Sequence, residues 1–340
     1  MKKVVTLGEM MIRFMPKGNL RFEQATEYEA FYGGDESIVA VSLARFGLNS
    51  AYVTKLPQNP LGDIAVNKLR EQGVDTRYIA RGGERMGLNF YESGVSMRPS
   101  NVLYDRRHSS MAEAVPEDFD FDAIFSDADW FHVAGITPAI SDNTAELTAA
   151  ALKCAKKHNV TVSVDLNYRS KLWTPEKAQQ IMRPLMQYVD VCIGNEEDAE
   201  KVLGFKPDNT DVNSGKLDIE GYRQTFLKLR DAFHFRYIAS TLRESYSASD
   251  NGWSSLVFDG EHFYRSRKYD IRLVDRGGGG ASFAAALIYA LLNDFSLEKA
   301  GEFATAASAL KQTILGDFNL SNLPEVYALM NGNVSGRVQR

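Results

Sequence analysis

Between Val274 and Phe283 the chain reads Val-Asp-Arg-Gly-Gly-Gly-Gly-Ala-Ser-Phe. An extended apolar segment, Ile271 to Val274, passes through four glycines into a helical stretch, Ala281 to Leu292. A strand, a loop of bare backbone and a helix N-terminus make a site for a phosphate-like anion, because unpaired N–H groups and the positive end of the helix dipole converge there. Gly278, Gly279 and Gly280 are the donors to look for. A phosphate-transfer enzyme would place a carboxylate in the first turn of that helix as general base. Here the position holds Ala281.

The elements that must hold such a loop are legible from periodicity. Val4–Leu7, Ala51–Thr54, Trp130–Val133, Val160–Val164, Val189–Ile193 and Tyr237–Ala239 are short apolar runs that read as strands. Asp63–Gln72, Asp142–Lys157, Pro175–Gln187 and Ile219–Phe233 are longer amphipathic stretches that read as helices. Gly73 stops the first of these, and Thr174-Pro175-Glu176 starts the third. Strand–helix alternation predicts a mainly parallel sheet covered on both faces. Two segments break the rhythm, 13–32 and 87–106, and the second holds strand-like runs at Leu88–Tyr91 and Val102–Tyr104. These predict a small β-sheet lid (13–32 and 87–106) on a core of 1–12, 33–86 and 107–330. The polar tail Asn331 to Arg340 is expected to fray.

Ligands of an open parallel sheet sit beyond the carboxyl ends of its strands. Polar clusters stand at four successive strand ends: Asp165 to Arg169, Gly194 to Asp198, Ser240 to Arg243, and the glycine run. Each alone has a structural explanation. Asn195 would serve as a helix cap, and Arg169 as a surface charge. Four in succession point to one site.

Other chemistries fit poorly. Gly8-Glu9-Met10-Met11 after the first strand lacks the glycines of a dinucleotide fingerprint, and no Lys-Ser or Lys-Thr follows the late glycines as a Walker loop requires. With 39 Lys+Arg against 44 Asp+Glu, the net charge of −5 excludes a global attraction to nucleic acid or anionic lipid. Cys154 and Cys192 lie in apolar segments and read as buried thiols of a reducing, cytoplasmic protein. No apolar run has the length of a membrane span or a signal peptide.

Taken in order, these stretches resemble the ribokinase-like (PfkB) sugar kinases, whose late signature is Asp-Arg/Thr-x-Gly-Ala/Gly-Gly-Asp-x-Phe. The resemblance runs nearly the whole chain and is closest to the 2-keto-3-deoxygluconate kinase branch. It is carried also by Gly33-Gly34, Lys55-Leu56-Pro57 with Gly62-Asp63, Tyr104-Asp105-Arg106, Asp165-Leu166-Asn167-Tyr168-Arg169, Gly194 to Ala199, Ser240 to Glu244, and Gly316-Asp317-Phe318-Asn319.

The resemblance implies a three-layer α/β/α sandwich with a β lid and transfer of the ATP γ-phosphoryl group to a sugar acid, with Mg²⁺. Gly278, Gly279 and Gly280 would form the anion hole. Asn195 and Asp198 would lie near Mg²⁺ without being assigned as direct ligands. Ser240, Thr241 and Arg243 would flank the nucleotide together with Gly278 and Gly280. Gly33, Gly34, Asn89, Tyr104 and Asp275 would line the sugar side, and Arg106 and Arg169 would read the acceptor carboxylate. A homodimer paired through the lid is expected. Ala281 replaces the family's catalytic Asp and Ile38 its usual sugar-side Asn. Gly277, Asn89 and Leu315 depart too. These changes imply slowed turnover. The alternative is an inactive kinase-fold protein that binds nucleotide or sugar as a regulator or partner subunit.

Overall fold

The protein is described by a computed structural model covering residues 1–206, 218–333 and 336. Most of the tail expected to fray lies outside the described residues. The chain begins with β1 (Lys3–Leu7), then β2 (Met11–Pro16) and β3 (Tyr28–Gly33), then α1 (Asp35–Arg45), β4 (Asn49–Leu56), α2 (Pro60–Glu71) and β5 (Ile79–Arg81). After β6 (Gly87–Glu92) and β7 (Asn101–Asp105) come α3 (Phe121–Phe125), β8 (Trp130–Ala134), α4 (Ile136–Ala139), α5 (Asp142–Lys157) and β9 (Thr161–Asp165). Then follow α6 (Pro175–Leu185), β10 (Val191–Ile193), α7 (Glu196–Leu203), α8 (Ile219–Phe233), β11 (Tyr237–Ser245), β12 (Asp250–Phe258), β13 (Phe263–Arg265), β14 (Tyr269–Arg272), α9 (Gly279–Leu292), α10 (Leu297–Lys311) and α11 (Leu323–Met330).

The main sheet runs β13-β12-β11-β10-β9-β8-β1-β4-β5, parallel from β5 to β11, with β12 antiparallel and β14 paired beside β13 on β12. Because side chains alternate along a strand, each strand feeds two cores. Val5 and Leu7 of β1, Phe131 of β8, Cys192 of β10 and Ile238 of β11 pack with α3, α5, α6, α7 and α8. Val4, Trp130, Val191 and Ala239 face the other way, onto α1, α9, α10 and α11. That is the three-layer arrangement. Cys192 is buried as expected, but Cys154 is only half-buried, because it sits toward the outer face of α5 within reach of Asp122 Oδ1 (3.6 Å).

Chain order reverses at β1, which pairs with β4 on one side and β8 on the other. Such a switch point opens a crevice at the carboxyl ends of the strands. The chain fills its approach with a second sheet, β3-β2-β6-β7. Met10 and Ile12 anchor this lid to an apolar cluster shared with α1 and α2.

Candidate active site

Two adjoining cavities occupy the crevice. The larger, about 980 Å³, lies under the lid and is lined by Arg13, Gly33, Asn89, Tyr104 and Arg106 of the lid side, and by Gly34 and Ile38 of the core. The smaller, about 350 Å³, is lined by Arg276, the four glycines Gly277 to Gly280, and Ala281. Asp35, Arg169, Asn195, Asp198, Thr241 and Arg243 face both, so the cavities meet across these residues. Side chains from α1, the loops after β9 and β10, β11 and the glycine loop, far apart in sequence, are thus gathered at one end of the sheet.

The glycine loop is built as an anion cradle. Gly278 has φ +79° and precedes the first helical residue of α9. The first backbone bond of the helix runs from Ser282 N–H to Gly278 C=O (2.9 Å). The N–H groups of Gly279, Gly280 and Ala281 therefore point out of the helix end into the smaller cavity. A Cβ on Gly278 would sit 2.6 Å from the Asp317 carbonyl oxygen, so only glycine lets the loop turn here.

Two expected residues lie elsewhere. Asp275 is buried behind the loop and lines neither cavity. Its Oδ1 accepts from Gly277 N–H (2.9 Å) and Arg13 Nη1 (3.1 Å), and its Oδ2 from Arg13 Nη2 (2.5 Å) and Gly316 N–H (3.0 Å). It shapes the loop and does not face the sugar side. Ser240 is fully buried and absent from both cavity linings, because strand alternation turns its neighbour Thr241 toward the opening instead.

The paired glycines are demanded by the fold itself. A Cβ on Gly34 would lie 1.9 Å from the Glu9 carbonyl oxygen, and one on Gly33 would strike Asp317. Arg106 donates from Nε to Glu9 Oε2 (2.8 Å) and also pairs with it through Nη2, leaving the rest of the guanidinium at the cavity wall. Arg169 spends one N–H on the Tyr168 carbonyl (3.2 Å) and is otherwise exposed to both cavities. Asn195 and Asp198 form a capping box at α7: Asn195 Oδ1 accepts from Asp198 N–H (2.9 Å) and Asp198 Oδ2 from Asn195 N–H (3.0 Å). Asp198 Oδ1 takes the Tyr168 N–H (2.8 Å). Ile38 and Ala281 belong to the same apolar cluster between α1 and α9. Two of the five departures from the family pattern thus fall in one core cluster.

The pfkB carbohydrate kinase family pattern matches residues 1–319. The chain belongs to the PfkB family of carbohydrate kinases. It is similar to the crystal structure of 2-dehydro-3-deoxygluconokinase from Thermotoga maritima, at 48% identity and TM-score 0.94, covering 98% of this chain and 100% of that one. A PfkB carbohydrate kinase structure from Listeria grayi matches at 31% identity and TM-score 0.90, over 97% of this chain and 100% of that one. The 2-dehydro-3-deoxygalactonokinase of Haloferax volcanii is 33% identical over 88% of this chain and 87% of its own. The ribokinase-like fold and phosphotransferase class expected from the sequence are borne out.

Three acids of this kinase are given no role by a reading of motifs. Glu196 lines the larger cavity, and its Oε2 is buried with no hydrogen-bond partner among the described residues. Asp35 and Glu36 open α1, where an acidic pair reads as a complement to the helix dipole and so attracts no notice. Glu36 is buried, accepting from Ala134 N–H (3.0 Å) and Thr137 Oγ1 (2.6 Å). Burial, with the charge of Asp35 adding to it, pushes its carboxyl up to about 8.

A pH dependence follows. The unfolded chain releases this proton near the usual 4.5, while the folded protein holds it to about 8. Glu36 therefore favours folding below the first value and progressively loses that contribution as pH rises to the second. Glu36→Gln, which keeps an acceptor for Ala134 and Thr137, flattens the fall in melting temperature between those pH values. Parallel melting curves for parent and variant across the window would contradict this.

Proposed function

We propose that this kinase transfers the γ-phosphoryl group of ATP to a hydroxyl of a 2-keto-3-deoxy sugar acid, with 2-keto-3-deoxygluconate as acceptor. The observation that carries the reading is the junction of the cavities: an anion cradle at the α9 N-terminus opens beside the exposed guanidinium of Arg169. The names of the Thermotoga and Haloferax relatives support the acceptor class.

In this reading Thr241 and Arg243 flank the nucleotide, and Asn195 and Asp198 stiffen the loop beneath it. Gly278, Gly279 and Gly280 hold the migrating phosphoryl group, whose charge the backbone N–H groups and helix dipole stabilise without reorganising. Arg169 and Arg106 orient the acceptor carboxylate, a geometry that lysine reproduces poorly. Tyr104, Asn89, Gly33, Gly34 and Ile38 wall the sugar side. Glu196 supplies an unpartnered carboxylate oxygen, the hard donor magnesium takes, beside Asn195 and Asp198. Bound there with the nucleotide, the ion would offset phosphate charge. The lid segments 13–32 and 87–106 close over the acceptor. Exposed Leu103 and Tyr104 on β7 support pairing of two lids in a homodimer. The free thiols of Cys154 and Cys192 support a reducing, cytoplasmic setting. Among the described residues no helix is long and apolar enough to cross a membrane. Ala281 is the site residue that would speak for the inactive alternative, and the kinase names of the relatives favour turnover over it.

The test is ADP release with 2-keto-3-deoxygluconate, its galacto epimer, and neutral hexoses. Turnover should be confined to the acids, and Arg169→Ala should raise the acceptor KM about 10–100-fold, the loss of a charged hydrogen bond. Equal turnover of neutral hexoses would refute the acceptor class.

A further inference from the structure

We propose that Asp35 is the proton acceptor of the phosphoryl transfer, standing in for the carboxylate that position 281 lacks. The assignment rests on the kinase reading above. Asp35 lines both cavities, where the cradle for the phosphoryl group meets the acceptor space. It stands one helical turn before Ile38, and residues at that spacing share a face of α1. That face looks at the glycine loop: Ile38 Cδ1 lies 3.3 Å from where a Gly278 Cβ would be.

Its carboxylate is held for the task. Asn167 Nδ2 donates to Oδ1 (3.2 Å), which fixes the group, and Oδ2 has no hydrogen-bond partner among the described residues. Glu196 and Glu197 line only the larger cavity, away from the glycine cradle, and the acids nearer the cradle and its loop are committed. Asp275 is bound by Arg13 and two backbone N–H groups, Asp198 by two backbone N–H groups, and Glu9 by Arg106 and Ser109. Asp165 lies buried close to the charges of Asp35 and Asp198, which drives it toward the protonated form. A fixed carboxylate with one buried, unpartnered oxygen, on a residue that lines the junction, is what the assignment of a general base rests on.

The step balances with groups already named. As the acceptor hydroxyl oxygen bonds to the γ-phosphorus, its O–H bond breaks and the proton passes to the Asp35 carboxylate. The bond from γ-phosphorus to the β–γ bridging oxygen breaks, and ADP leaves with that electron pair. The proton is returned to water after the product departs. Burial pushes the Asp35 carboxyl up to about 6, while Arg169 and the Asn167 hydrogen bond oppose the rise. Around it stand Glu36 on α1, Asp165 and Arg169 from β9 and its loop, Tyr52 on β4, and Arg276 and Asp198 across the smaller cavity. At neutral pH the group is mostly ionised and able to accept a proton.

The experiment compares kcat, acceptor KM and calorimetric ATP affinity for the unaltered protein, Asp35→Asn, Ala281→Asp, and the two substitutions combined. Asp35→Asn should lower kcat about 10²–10⁴-fold, the usual effect of losing a positioned base. Its ATP affinity and melting temperature should stay near the parent values, and the carboxylate introduced by Ala281→Asp should restore at least about tenfold of the loss. The parent kcat should also fall as pH drops through about 6, an inflection that the double variant shifts. Unchanged kcat in Asp35→Asn overturns the assignment. So does a parent that turns over no acceptor while Ala281→Asp alone does. Turnover of a different sugar by the parent, with the same dependence on Asp35, would instead overturn only the acceptor reading.

Discussion

Arg13→Ala should lower the stability of this kinase by about 3–5 kcal/mol, the usual cost of stranding the partner of a buried ion pair. For a chain of this length that corresponds to a fall in melting temperature of about 4–7 °C. Arg13 is a lid residue on β2, yet its bidentate partner is Asp275, at the root of the glycine loop. Asp317 stands at 3.4 Å on the same guanidinium, and the Phe31 and Tyr91 rings flank it at 5.1 and 5.3 Å. The Arg13 and Asp275 side chains are 5% and 1% exposed, so water cannot replace the lost partner. Lys311 cannot fully do so either, because burial lowers its ammonium to about 8 despite the two acids beside it.

The deficit has a pH signature. Arg13 favours the ionised form of Asp317 against a burial effect that pushes its carboxyl up. Without Arg13 burial pushes the Asp317 carboxyl higher still, so the difference between parent and variant shrinks as pH falls through the raised range in which folded Asp317 takes up its proton. Denaturant unfolding at neutral and acidic pH measures both. A loss below about 1 kcal/mol at neutral pH would mean that the lid is not tied to the loop through this cluster.

Gly278→Val should lower kcat about 10²–10³-fold. The residue sits at φ +79°, which a β-branched side chain adopts only with strain, and its Cβ would meet the Asp317 backbone oxygen at 2.6 Å. Backbone cannot step aside as a flexible side chain could, so the loop moves. Displacing the N–H groups of Gly279, Gly280 and Ala281 by about 1 Å spoils the alignment of the migrating phosphoryl group with its acceptor. Affinity for ATP should change less, since Thr241 and Arg243 are on other elements. Steady-state kinetics separate the two, and a kcat within about threefold of the parent would show that the cradle does not act in the chemical step.

How much was legible depended on how each element is covered. α5, α6 and α8 carry caps and one apolar face, so periodicity located them: Ser141 caps α5, Thr174 caps α6, and Asp218 caps α8. α1 and α10 are buried over most of their circumference between the sheet, α9 and the lid or α11, so no polar stripe marks them as helices. β12 is buried along nearly its whole length and shows no alternation to read.

The site divides along similar lines. A glycine run before a helix announces an anion cradle because backbone geometry is local, and Ala281 announces a missing carboxylate for the same reason. Spacing and residue type alone placed Arg169, Asn195, Asp198, Thr241 and Arg243 at strand ends, where a parallel sheet must bind its ligands. What the tertiary structure decided is which acids remain free. Asp275 looked available in sequence and is consumed by Arg13, 262 residues away. Asp35 looked like an ordinary helix-end acid and stands at the junction of both cavities. Residue type sets what a carboxylate can do, but its partners and burial set whether it is available. Those are contributed by chain segments that only folding brings together.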